Sequence, residues 1–538
     1  MVIIADHVAL LKKQAAERHN ISTERCHIGH VILEGMLQYP DTIHQIDAVT
    51  QKQETNISVA NRTKRLATAM RNYGLKVNDN IIVMGNNHLD LCIPYFACHF
   101  NGYALCAVDP IMTAEDLQTL FHYVSPEMVF CSKDKVEDTK NALSKNNLET
   151  PIVVFDDKEN DLEAFVKKHN GTEEQFCLPD FDHSKTIAWL MLTSGTTGLP
   201  KVAVIPFDTL LSGLCCWWVQ FTDDMDYALA MATIQWMSSL IIFSSTCLMN
   251  FTRVQLSVPI TPQLLIHVIN KYKPKACAWT PYLLGQFLRA AGDLCDLSSF
   301  KYIAIGGSSI EKPLFDQFSA KCGAYLYLVY GMTELLVPVF EYNRTTPFGS
   351  TGKPMDKFQY RLVAEDGSTV TKPNEDGELW LKGDAFFKGY FNNPEETRKI
   401  INDDGWIMTG DIFYKTEDNY YHFVERKRLL IKYCGFWISP LQLEDVIKQH
   451  PAVAEVCVVG IPDKETTETP VAIIQKKNGC QVEASEIFKL VREKMPDVKQ
   501  LHGGLYFLDS LPQTPSGKVH RAKLKEMTIT ATRIMPTQ

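Results

Sequence analysis

Short apolar runs alternate with amphipathic segments along the N-terminal part of the chain. Residues 59–73 place Leu66, Ala69 and Met70 on one side and basic residues on the other, which predicts a helix. Apolar runs of about four to eight residues between turn-forming residues predict buried strands. Runs of this kind lie at residues 80–85, 128–131, 152–155, 187–192, 276–280, 302–306 and 325–329. Strands that are separated by helices of this size indicate parallel sheets in an α/β fold.

The pattern changes further along the chain, where short strands and turns follow one another. Residues 360–363 and 377–383, followed by Gly389-Tyr390, predict a small β-rich subdomain. The charged segment Glu425-Arg426-Lys427-Arg428 separates two more strands, and we predict a domain boundary there. An N-terminal domain then spans residues 1–425. Residues 426–538 predict a compact α+β domain.

The strand at 187–192 leads into the loop Thr193-Ser194-Gly195-Thr196-Thr197-Gly198-Leu199-Pro200-Lys201. Its two glycines allow the backbone to curl closely around a ligand, and its hydroxyls and Lys201 can donate hydrogen bonds. A strand followed by a glycine-rich loop that is dense in donors is a suitable cradle for a polyphosphate. The spacing differs from the P-loop of common ATPases, because Leu199-Pro200 separates the last glycine from the lysine. The alternative is a polar surface loop.

Three further turns carry residues that suit a nucleotide. Gly306-Gly307 follows the strand at 302–306 and lets backbone approach a ligand, although a buried structural turn explains it equally well. Tyr330-Gly331-Met332-Thr333-Glu334 follows the strand at 325–329 and offers a ring for a base and a carboxylate for a metal, although a structural turn explains it equally well. Asp411 follows a tight turn, where a carboxylate either binds two ribose hydroxyls or caps the turn.

The composition is that of an ordinary globular protein, with 45% hydrophobic and 22% charged residues. A chain of 538 residues suggests two or more domains. The formal net charge of −9 argues against nucleic-acid binding, and it means that local donors must hold an anionic substrate. The 15 cysteines are scattered without a repeated Cys-x-x-Cys spacing, which favours a reducing compartment over a disulfide framework or a zinc site.

Targeting signals are not evident in the sequence. The first residues lack the apolar core of a signal peptide, and no apolar run is long enough to span a membrane. The chain ends Met535-Pro536-Thr537-Gln538 and so lacks the peroxisomal signal Ser-Lys-Leu. We therefore expect a cytoplasmic protein, and no obligate protein partner is evident.

Six motifs, taken in order, resemble those of the AMP-forming adenylate-forming superfamily, in its firefly luciferase and acyl-CoA synthetase branch. The motifs are residues 193–201, 330–334, 377–383, 409–411, 425–435 and 515–518. The resemblance covers nearly the whole chain. It implies a large N-terminal region of α/β sheets with a β-barrel-like subdomain, and a small mobile α+β C-terminal domain. It also implies an ATP site between the two domains.

The resemblance implies roles for individual residues as well. The residues implied to bind ATP are Thr193, Ser194, Gly195, Thr196, Thr197, Gly198, Lys201, Gly306, Gly307, Tyr330, Thr333, Asp411 and Arg426. Glu334 matches the carboxylate that binds Mg²⁺, and Glu425 matches the hinge. Lys518 matches the lysine of the adenylation step, and Lys432 matches the lysine used after the C-terminal domain has rotated.

The expected chemistry explains why these residue types are needed. A carboxylate is a poor nucleophile toward an anionic α-phosphate, so Mg²⁺ and cationic donors must first neutralise charge. Loss of pyrophosphate then gives an acyl-AMP. We expect the enzyme to adenylate a small carboxylic acid and then to oxidise the acyl-AMP with O₂ and emit light, as insect luciferases do. The alternative is transfer of the acyl group to coenzyme A, as in acyl-CoA synthetases, and a further alternative is a non-catalytic nucleotide-binding homologue.

The chain departs from the family pattern at three places. Val202 follows Lys201 in place of the usual glycine, and Leu335 follows Glu334 in place of a small polar residue, so the affinity for ATP stays open. Gln235-Trp236 lies where luciferases and many ligases carry a Pro-Phe-His-His-like segment that borders the acid pocket. A tryptophan there changes which acid fits, although an ordinary core aromatic is an equal alternative. These departures predict an unusual acid.

Overall fold

The computed structural model of the protein describes residues 4–174, 176–193, 201–217, 225–434, 436–513 and 519–536. Two compact units form in this part of the chain. The first unit comprises Met1–Thr345 and Lys382–Gly405, and the second comprises Thr346–Leu381 and Trp406–Gln538. The position after Glu425, at which the sequence predicts a domain boundary, lies within the second unit.

The α-helices of the described residues are numbered in chain order. They are α1 (Ile4–His19), α2 (Ile28–Gln38), α3 (Asn56–Tyr73), α4 (Cys92–Asn101), α5 (Ala114–Val124), α6 (Val136–Lys145), α7 (Leu162–Lys168), α8 (Phe207–Trp217), α9 (Met237–Met249), α10 (Pro262–Tyr272), α11 (Pro281–Ala291), α12 (Lys312–Cys322), α13 (Pro394–Arg398), α14 (Pro440–Ile447), α15 (Ala484–Lys494) and α16 (Arg521–Thr530). Helix α3 confirms the prediction at 59–73. It begins earlier because the Thr55 hydroxyl accepts a hydrogen bond from Ser58 N, and it ends at Gly74, which has a φ of 115°.

The β-strands of the described residues are numbered in the same way. They are β1 (Ile43–Asp47), β2 (Gln53–Thr55), β3 (Asn80–Met84), β4 (Ala104–Val108), β5 (Met128–Cys131), β6 (Ile152–Val154), β7 (Ile187–Thr193), β8 (Lys201–Pro206), β9 (Tyr227–Ala230), β10 (Thr252–Gln255), β11 (Ala276–Trp279), β12 (Tyr302–Gly306), β13 (Tyr325–Val329), β14 (Phe340–Glu341), β15 (Lys353–Pro354), β16 (Gln359–Val363), β17 (Gly377–Lys382), β18 (Ile407–Lys415), β19 (Tyr421–Arg426), β20 (Ile431–Tyr433), β21 (Phe436–Ile438), β22 (Val453–Asp463), β23 (Thr467–Lys476) and β24 (Leu505–Leu508). Each apolar run that predicted a strand in the N-terminal part of the chain forms one of them.

A seven-stranded sheet in the first unit has the order β13-β12-β11-β9-β10-β1-β2. Its paired strands are parallel, except that β2 is antiparallel to β1. Helices α10 and α11 each begin with a proline that follows a capping threonine, Thr261 and Thr280. Leu265 of α10 and Phe287 of α11 lie in one buried apolar cluster with Trp279 of β11. The helices thus cover this sheet with the apolar face that their sequence provides.

A six-stranded sheet in the first unit has the order β6-β5-β3-β4-β7-β8. All its pairs are parallel except β7 with β8. Ile82, Val129 and Leu190 from three of these strands pack with Leu120 of α5 in a second buried cluster. The two sheets confirm the predicted α/β fold with parallel strands.

The second unit contains an open sheet with the order β16-β17-β18-β19. Strand β18 is antiparallel to both β17 and β19. These strands confirm the predicted β-rich segment. Among the described residues the sheet does not close on itself, so the segment expected to resemble a barrel is an open antiparallel sheet.

The C-terminal part of the second unit is built on a sheet with the order β21-β20-β23-β22, in which β24 also pairs with β23. Alternate residues of β22 face two different cores, as the period of a strand requires. Val456 and Val458 pack in the cluster that includes α14 and α15. Cys457 and Val459 pack with Leu524 of α16. The predicted α+β organisation is therefore confirmed for this part of the chain.

Two further features concern membranes and thiols. Within the described ranges, no helix combines the length and the apolar character needed to cross a membrane. All 15 cysteines are free thiols.

Candidate functional site

The predicted phosphate loop connects two paired strands of the first unit. Thr193 at the end of β7 is the register partner of Lys201 at the start of antiparallel β8. The loop therefore begins and ends at adjacent positions, with a threonine on one strand and a lysine on the other. Outside the described residues lie the predicted ligands Ser194, Gly195, Thr196, Thr197 and Gly198.

Lys201 is held by an acidic and an aromatic neighbour. Its ammonium group forms an ion pair with the Glu396 carboxylate, and its Nζ lies 5.2 Å from the centre of the Tyr390 ring. Glu396 also pairs with Lys399 at 2.5 Å. Hydrogen bonds from both lysines hold the pKa of Glu396 below its ordinary value. A lysine with a restricted position at the end of a loop is well suited to binding phosphate as a point charge.

Glu334, the predicted metal ligand, is buried and lies in the short 3₁₀ turn Thr333–Leu335. Its Oε1 accepts a hydrogen bond of 2.6 Å from the Tyr390 hydroxyl. Its backbone oxygen accepts a hydrogen bond of 3.0 Å from Phe387 N. Glu334 and Lys201 therefore contact the same tyrosine, which brings a carboxylate and an ammonium group of the predicted site into one cluster.

Gly306, Gly307 and Tyr330 lie at the carboxyl ends of the neighbouring parallel strands β12 and β13. A β-carbon on Gly306 would come within 3.2 Å of the Val329 oxygen, and Gly307 has a φ of 87°. Both positions therefore favour glycine. Ligands of open α/β sheets bind at the carboxyl ends of the strands. The three residues lie at such an end, and their contact with adenine stays a prediction.

Gln235 and Trp236, the predicted residues of the acid pocket, directly precede α9. The Trp236 side chain is 49% exposed, so the alternative of an ordinary core aromatic is wrong. The Oε1 atom of Gln235 is buried and accepts no hydrogen bond from the described residues. An acceptor of this kind is satisfied by a polar ligand or by water. The role of both residues in binding an acid stays a prediction.

Asp411 and Arg426 are brought together by the antiparallel pair β18 and β19. They are register partners, and Arg426 Nε lies 2.7 Å from Asp411 Oδ1. Asp411 is fully buried, and its backbone N–H donates a hydrogen bond of 3.1 Å to the Thr409 hydroxyl. The sequence predicted that Asp411 follows a tight turn. It lies inside β18 instead, because Gly410 adopts a φ of 69° without ending the strand.

A cavity of about 340 Å³ in the second unit is lined by Thr409, Gly410, Arg426, Lys427 and Arg428. Burial, and to a smaller extent the neighbouring Arg426, lowers the pKa of Arg428. An anionic ligand would relieve the repulsion among these cations, whereas a neutral one would not. The cavity therefore suits the polar, charged part of a nucleotide better than an apolar ligand.

Glu425, the predicted hinge residue, is buried near the end of β19. Its Oε2 accepts a hydrogen bond of 3.3 Å from Leu441 N, in the first turn of α14. Its Oε1 accepts one of 2.9 Å from Arg426 N. Burial raises the pKa of Glu425. The carboxylate thus links the end of a strand to the beginning of a helix, where the helix dipole favours a negative charge.

Lys432, one of the two predicted catalytic lysines, lies in β20 with its side chain 42% exposed. Its Nζ is 3.8 Å from a carboxylate oxygen of Glu365, and its backbone N–H donates a hydrogen bond of 3.1 Å to Glu468. The other predicted lysine, Lys518, lies outside the described residues. Lys432 therefore lies at the surface of the second unit.

Tyr390 and Glu396 belong to this site, but their roles were not predicted from the sequence. Tyr390 contacts Glu334 across a separation of 56 residues, and Glu396 contacts Lys201. The one local signal was the Gly389-Tyr390 pair, which the sequence assigned to the β-rich segment. Contacts between such distant positions are specified by the packing of the whole unit and not by a local pattern.

The two apolar departures from the family pattern are interior residues of the first unit. Val202 is 4% exposed in β8 and packs with Leu190 and Phe391. Leu335 is fully buried. A β-branched side chain suits a buried strand position, so Val202 contributes to the core beneath the loop end.

Comparisons with known proteins identify the family of the chain. Residues 34–391 match the family model for AMP-binding enzymes, and residues 442–518 match the model for the C-terminal domain of these enzymes. The chain therefore belongs to the AMP-binding enzyme family, as the order of its motifs predicted.

Its relatives have two kinds of activity. Luciferin 4-monooxygenase of Photinus pyralis is 29% identical over 531 residues, which are 94% of this chain and 94% of that protein. 4-Coumarate-CoA ligase 1 of Narcissus pseudonarcissus is 26% identical over 518 residues, which are 91% of this chain and 92% of the ligase. The crystal structure of ATP-bound MatB from Rhodopseudomonas palustris matches with a TM-score of 0.84 at 21% identity, over 94% of this chain and 99% of MatB. That likeness shows the adenylate-forming fold.

Proposed function

We propose that the protein is an ATP- and Mg²⁺-dependent enzyme that adenylates an organic carboxylic acid and releases pyrophosphate. The observation that carries this proposal is the pair of contacts made by Tyr390. Its ring lies 5.2 Å from Lys201 Nζ, and its hydroxyl lies 2.6 Å from Glu334 Oε1. The Tyr390 side chain thus contacts both a cation suited to phosphate and a carboxylate suited to a metal. A metal-bound triphosphate needs both groups close together.

Glu334 fits Mg²⁺ because this ion binds nucleotide sites through one or two carboxylates and takes its other ligands from phosphates and water. The carboxylate is buried and oriented by Tyr390, so it is prepared for a metal that needs strict geometry. When bound, the ion would screen the phosphate charges and let a carboxylate approach the α-phosphate. Lys201 would hold the terminal phosphates together with Thr193 and the loop residues Ser194, Gly195, Thr196, Thr197 and Gly198.

The nucleoside part of ATP is assigned to the residues that the family motifs match. Asp411 would accept hydrogen bonds from two ribose hydroxyls, with Arg426 holding its carboxylate in place at 2.7 Å. Tyr330 would stack on adenine next to Gly306 and Gly307, which leave room for the base. Thr333 directly precedes Glu334 and would donate a hydrogen bond to the α-phosphate.

We assign the boundary between a nucleotide-binding domain and a mobile cap to the junction of residues 1–425 with residues 426–538. Rotation at Glu425 would exchange Lys518, which acts on the carboxylate and the α-phosphate, for Lys432, which acts in the second step. A small domain that presents two lysines in turn lets one site run two reactions in sequence. The contact of Glu425 with Leu441 N supports this position for the hinge, because it joins the hinge residue to the first helix of the cap.

For the second step we favour transfer of the acyl group to coenzyme A, in which the thiol sulfur attacks the acyl carbonyl and AMP leaves. Trp236, in the segment assigned to the acid pocket, is 49% exposed. A reaction that emits light needs a site that excludes water, whereas thioester formation must admit a thiol. Oxidation by O₂ with light emission is the second candidate, and the 29% identity to the Photinus pyralis luciferin 4-monooxygenase favours it.

One assay tests the proposal and separates the two second steps. The full chain is incubated with Mg-ATP and a panel of aliphatic and aromatic carboxylic acids, and pyrophosphate, acyl-CoA and photons are recorded with and without coenzyme A. We expect acid-dependent pyrophosphate release and acyl-CoA without light. Light that requires O₂ would move the luciferase activity to first place. No pyrophosphate with any acid, while Mg-ATP still binds, would favour a non-catalytic nucleotide-binding homologue.

The remaining proposals concern the setting of the enzyme. Free cysteines throughout the chain support a reducing compartment such as the cytoplasm. The net charge of −9 supports a small-molecule substrate and no nucleic-acid partner.

A further inference from the structure

Tyr390 lies in a short extended segment that runs beside β8. Ala203 and Tyr390 form an antiparallel β-bridge. Val204 N donates a hydrogen bond of 2.9 Å to the Gly389 oxygen, and Phe391 N donates one of 2.7 Å to the Val202 oxygen. The backbone of Tyr390 is therefore fixed to the strand that begins at the end of the predicted phosphate loop.

The conformation of this segment is specified by its neighbours. Gly389 has a φ of 123°, and a β-carbon at this position would come within 2.7 Å of the Thr397 side chain. The Thr397 hydroxyl accepts a hydrogen bond of 2.9 Å from Tyr390 N. Both the left-handed backbone and the close approach require glycine. The backbone of Tyr390 is thus held by β8 on one side and by Thr397 on the other.

The Tyr390 side chain contacts two groups of the predicted ATP site in different ways. Its hydroxyl donates the hydrogen bond of 2.6 Å to Glu334 Oε1, while the face of its ring lies 5.2 Å from Lys201 Nζ. The side chain is only 7% exposed. A second anchor lies nearby, because Phe387 N donates a hydrogen bond to the Glu334 backbone oxygen. Residues 387–390 therefore hold both the backbone and the side chain of Glu334 in place.

Building on the function proposed above, we propose that Tyr390 is a positioning residue for Mg-ATP. Its hydroxyl orients the Glu334 carboxylate for the metal, and its ring sets the place of Lys201 at the end of the phosphate loop. A glutamate and a lysine lose much rotamer freedom when they are ordered. Ordering them before the ligand arrives lowers the cost of binding.

The two contacts are separable by substitution. Tyr390→Phe removes the hydroxyl and keeps the ring, whereas Tyr390→Leu removes both. Loss of the hydroxyl affects the carboxylate alone, so it weakens binding only when the metal is present. Loss of the ring also removes one of the two groups that hold Lys201, which contacts phosphate with or without the metal, and leaves its ion pair with Glu396.

Isothermal titration calorimetry on the full chain tests this proposal, with ATP in Mg²⁺ and with ATP in EDTA. For Tyr390→Phe we expect the Kd for Mg-ATP to rise about tenfold, because one hydrogen bond to a charged group is lost, and the Kd for metal-free ATP to stay unchanged. For Tyr390→Leu we expect both constants to rise. In a Glu334→Gln background, Tyr390→Phe should raise the Kd for Mg-ATP by less than about twofold, since the carboxylate through which the hydroxyl acts is already absent.

Tyr95→Phe is the matched control. The Tyr95 hydroxyl is also buried and donates a hydrogen bond of 2.8 Å to the Leu240 oxygen, away from this cluster. We expect a loss of thermal stability and an unchanged Kd for Mg-ATP. A Tyr390→Phe variant with the affinity of the parent, or with equal losses in Mg²⁺ and EDTA, would overturn the role of Tyr390 alone. A parent protein that binds no Mg-ATP would overturn the proposed function with it.

Discussion

The Nε atom of Arg426 lies 2.7 Å from the Oδ1 atom of Asp411, across the antiparallel strands β18 and β19. The aspartate is fully buried, while the arginine side chain is 38% exposed. A buried carboxylate needs a paired cation to remain charged. Arg426 therefore supplies the cation that pairs with the buried Asp411 carboxylate, beside the cavity that Thr409 and Gly410 line.

Replacing this carboxylate should weaken nucleotide binding. In Asp411→Asn one oxygen becomes an amide donor, which cannot accept a ribose hydroxyl, and Arg426 loses its ion partner. We expect the Kd for ATP to rise by about tenfold or more, the loss of a hydrogen bond that involves a charged group. Calorimetric titration with ATP measures the change. Asp366→Asn, at an exposed turn of the same unit, is the control and should bind ATP like the parent. Equal affinities for Asp411→Asn and the parent would remove Asp411 from the site.

The elements around the site follow from local pattern. Residues 128–131, 302–306 and 325–329 are predicted as strands, and they form β5, β12 and β13 with these bounds. Each is a short apolar run between turn-forming residues, so the burial of the strand is visible in the sequence itself. The turn that follows β12 is visible for a similar reason, since Gly307 adopts a φ of 87° that other residues rarely take.

Pairing between distant segments does not follow from local pattern. The prediction that Asp411 follows a turn was wrong, because Asp411 lies within β18 and pairs with Arg426 of β19. The Tyr390 hydroxyl reaches Glu334 over 56 residues, and no feature near either residue identifies the other. Register and tertiary contacts depend on the packing of the whole sheet, which a single sequence does not display.

The two predicted lysines should separate the two half-reactions. Replacing Lys518 by methionine should abolish acid-dependent pyrophosphate exchange, because no cation then bridges the carboxylate and the α-phosphate. Replacing Lys432 by methionine should preserve the exchange and slow the second step by about a hundredfold, a typical effect of removing one electrostatic donor. Exchange of labelled pyrophosphate into ATP measures the first step, and acyl-CoA or light measures the second.

A third lysine variant controls for the general effect of removing a positive charge. Lys464 is exposed in the second unit, and Lys464→Met should leave both half-reactions unchanged. If Lys432→Met and Lys518→Met lower exchange equally, the assignment of one lysine to each step is incorrect.

A partly buried ion pair should support the C-terminal part of the second unit. The Arg521 guanidinium donates hydrogen bonds of 2.6 and 2.7 Å to the Glu444 carboxylate and one of 2.9 Å to the Val458 oxygen. Arg521→Met leaves the buried Glu444 carboxylate without its cation, with a hydrogen bond of 2.7 Å from Val458 N remaining, and should lower the free energy of unfolding by roughly 3 kcal/mol. Substituting Glu444→Met in the same chain should recover part of this loss, because it removes the uncompensated charge but takes the acceptor away from Val458 N–H.

Hydrogen exchange of the second unit measures both changes. Lys525→Met is the control, since Lys525 and its partner Glu468 form a 3.0 Å pair at the surface. The loss there should stay below about 1 kcal/mol. A double variant as unstable as Arg521→Met would show that shape, and not the unpaired charge, explains the effect.

A buried histidine should make the first unit sensitive to acid. His99 is fully buried, donates from Nδ1 to the Tyr95 oxygen at 2.7 Å and accepts at Nε2 from Trp189 Nε1–H at 3.0 Å. Burial lowers its pKa to about 4. Protonation would place a hydrogen on Nε2 opposite the indole N–H, so the folded chain resists the proton that an unfolded histidine accepts near pH 6.5.

The unfolded chain therefore binds more protons than the folded chain between pH 6.5 and about 4, and stability is lost as the pH falls through this window. Above pH 6.5 both states are neutral at this residue, and the contribution is fully present. The loss at pH 4 should be about 3 kcal/mol for His99, from roughly 1.4 kcal/mol for each pH unit. Urea unfolding followed by circular dichroism at pH 7.5 and pH 4 measures it. His99→Gln should flatten the pH dependence by close to one proton, whereas His122→Gln, at an exposed position, should retain the slope of the parent. Equal slopes for His99→Gln and the parent would mean that other buried groups cause the acid sensitivity.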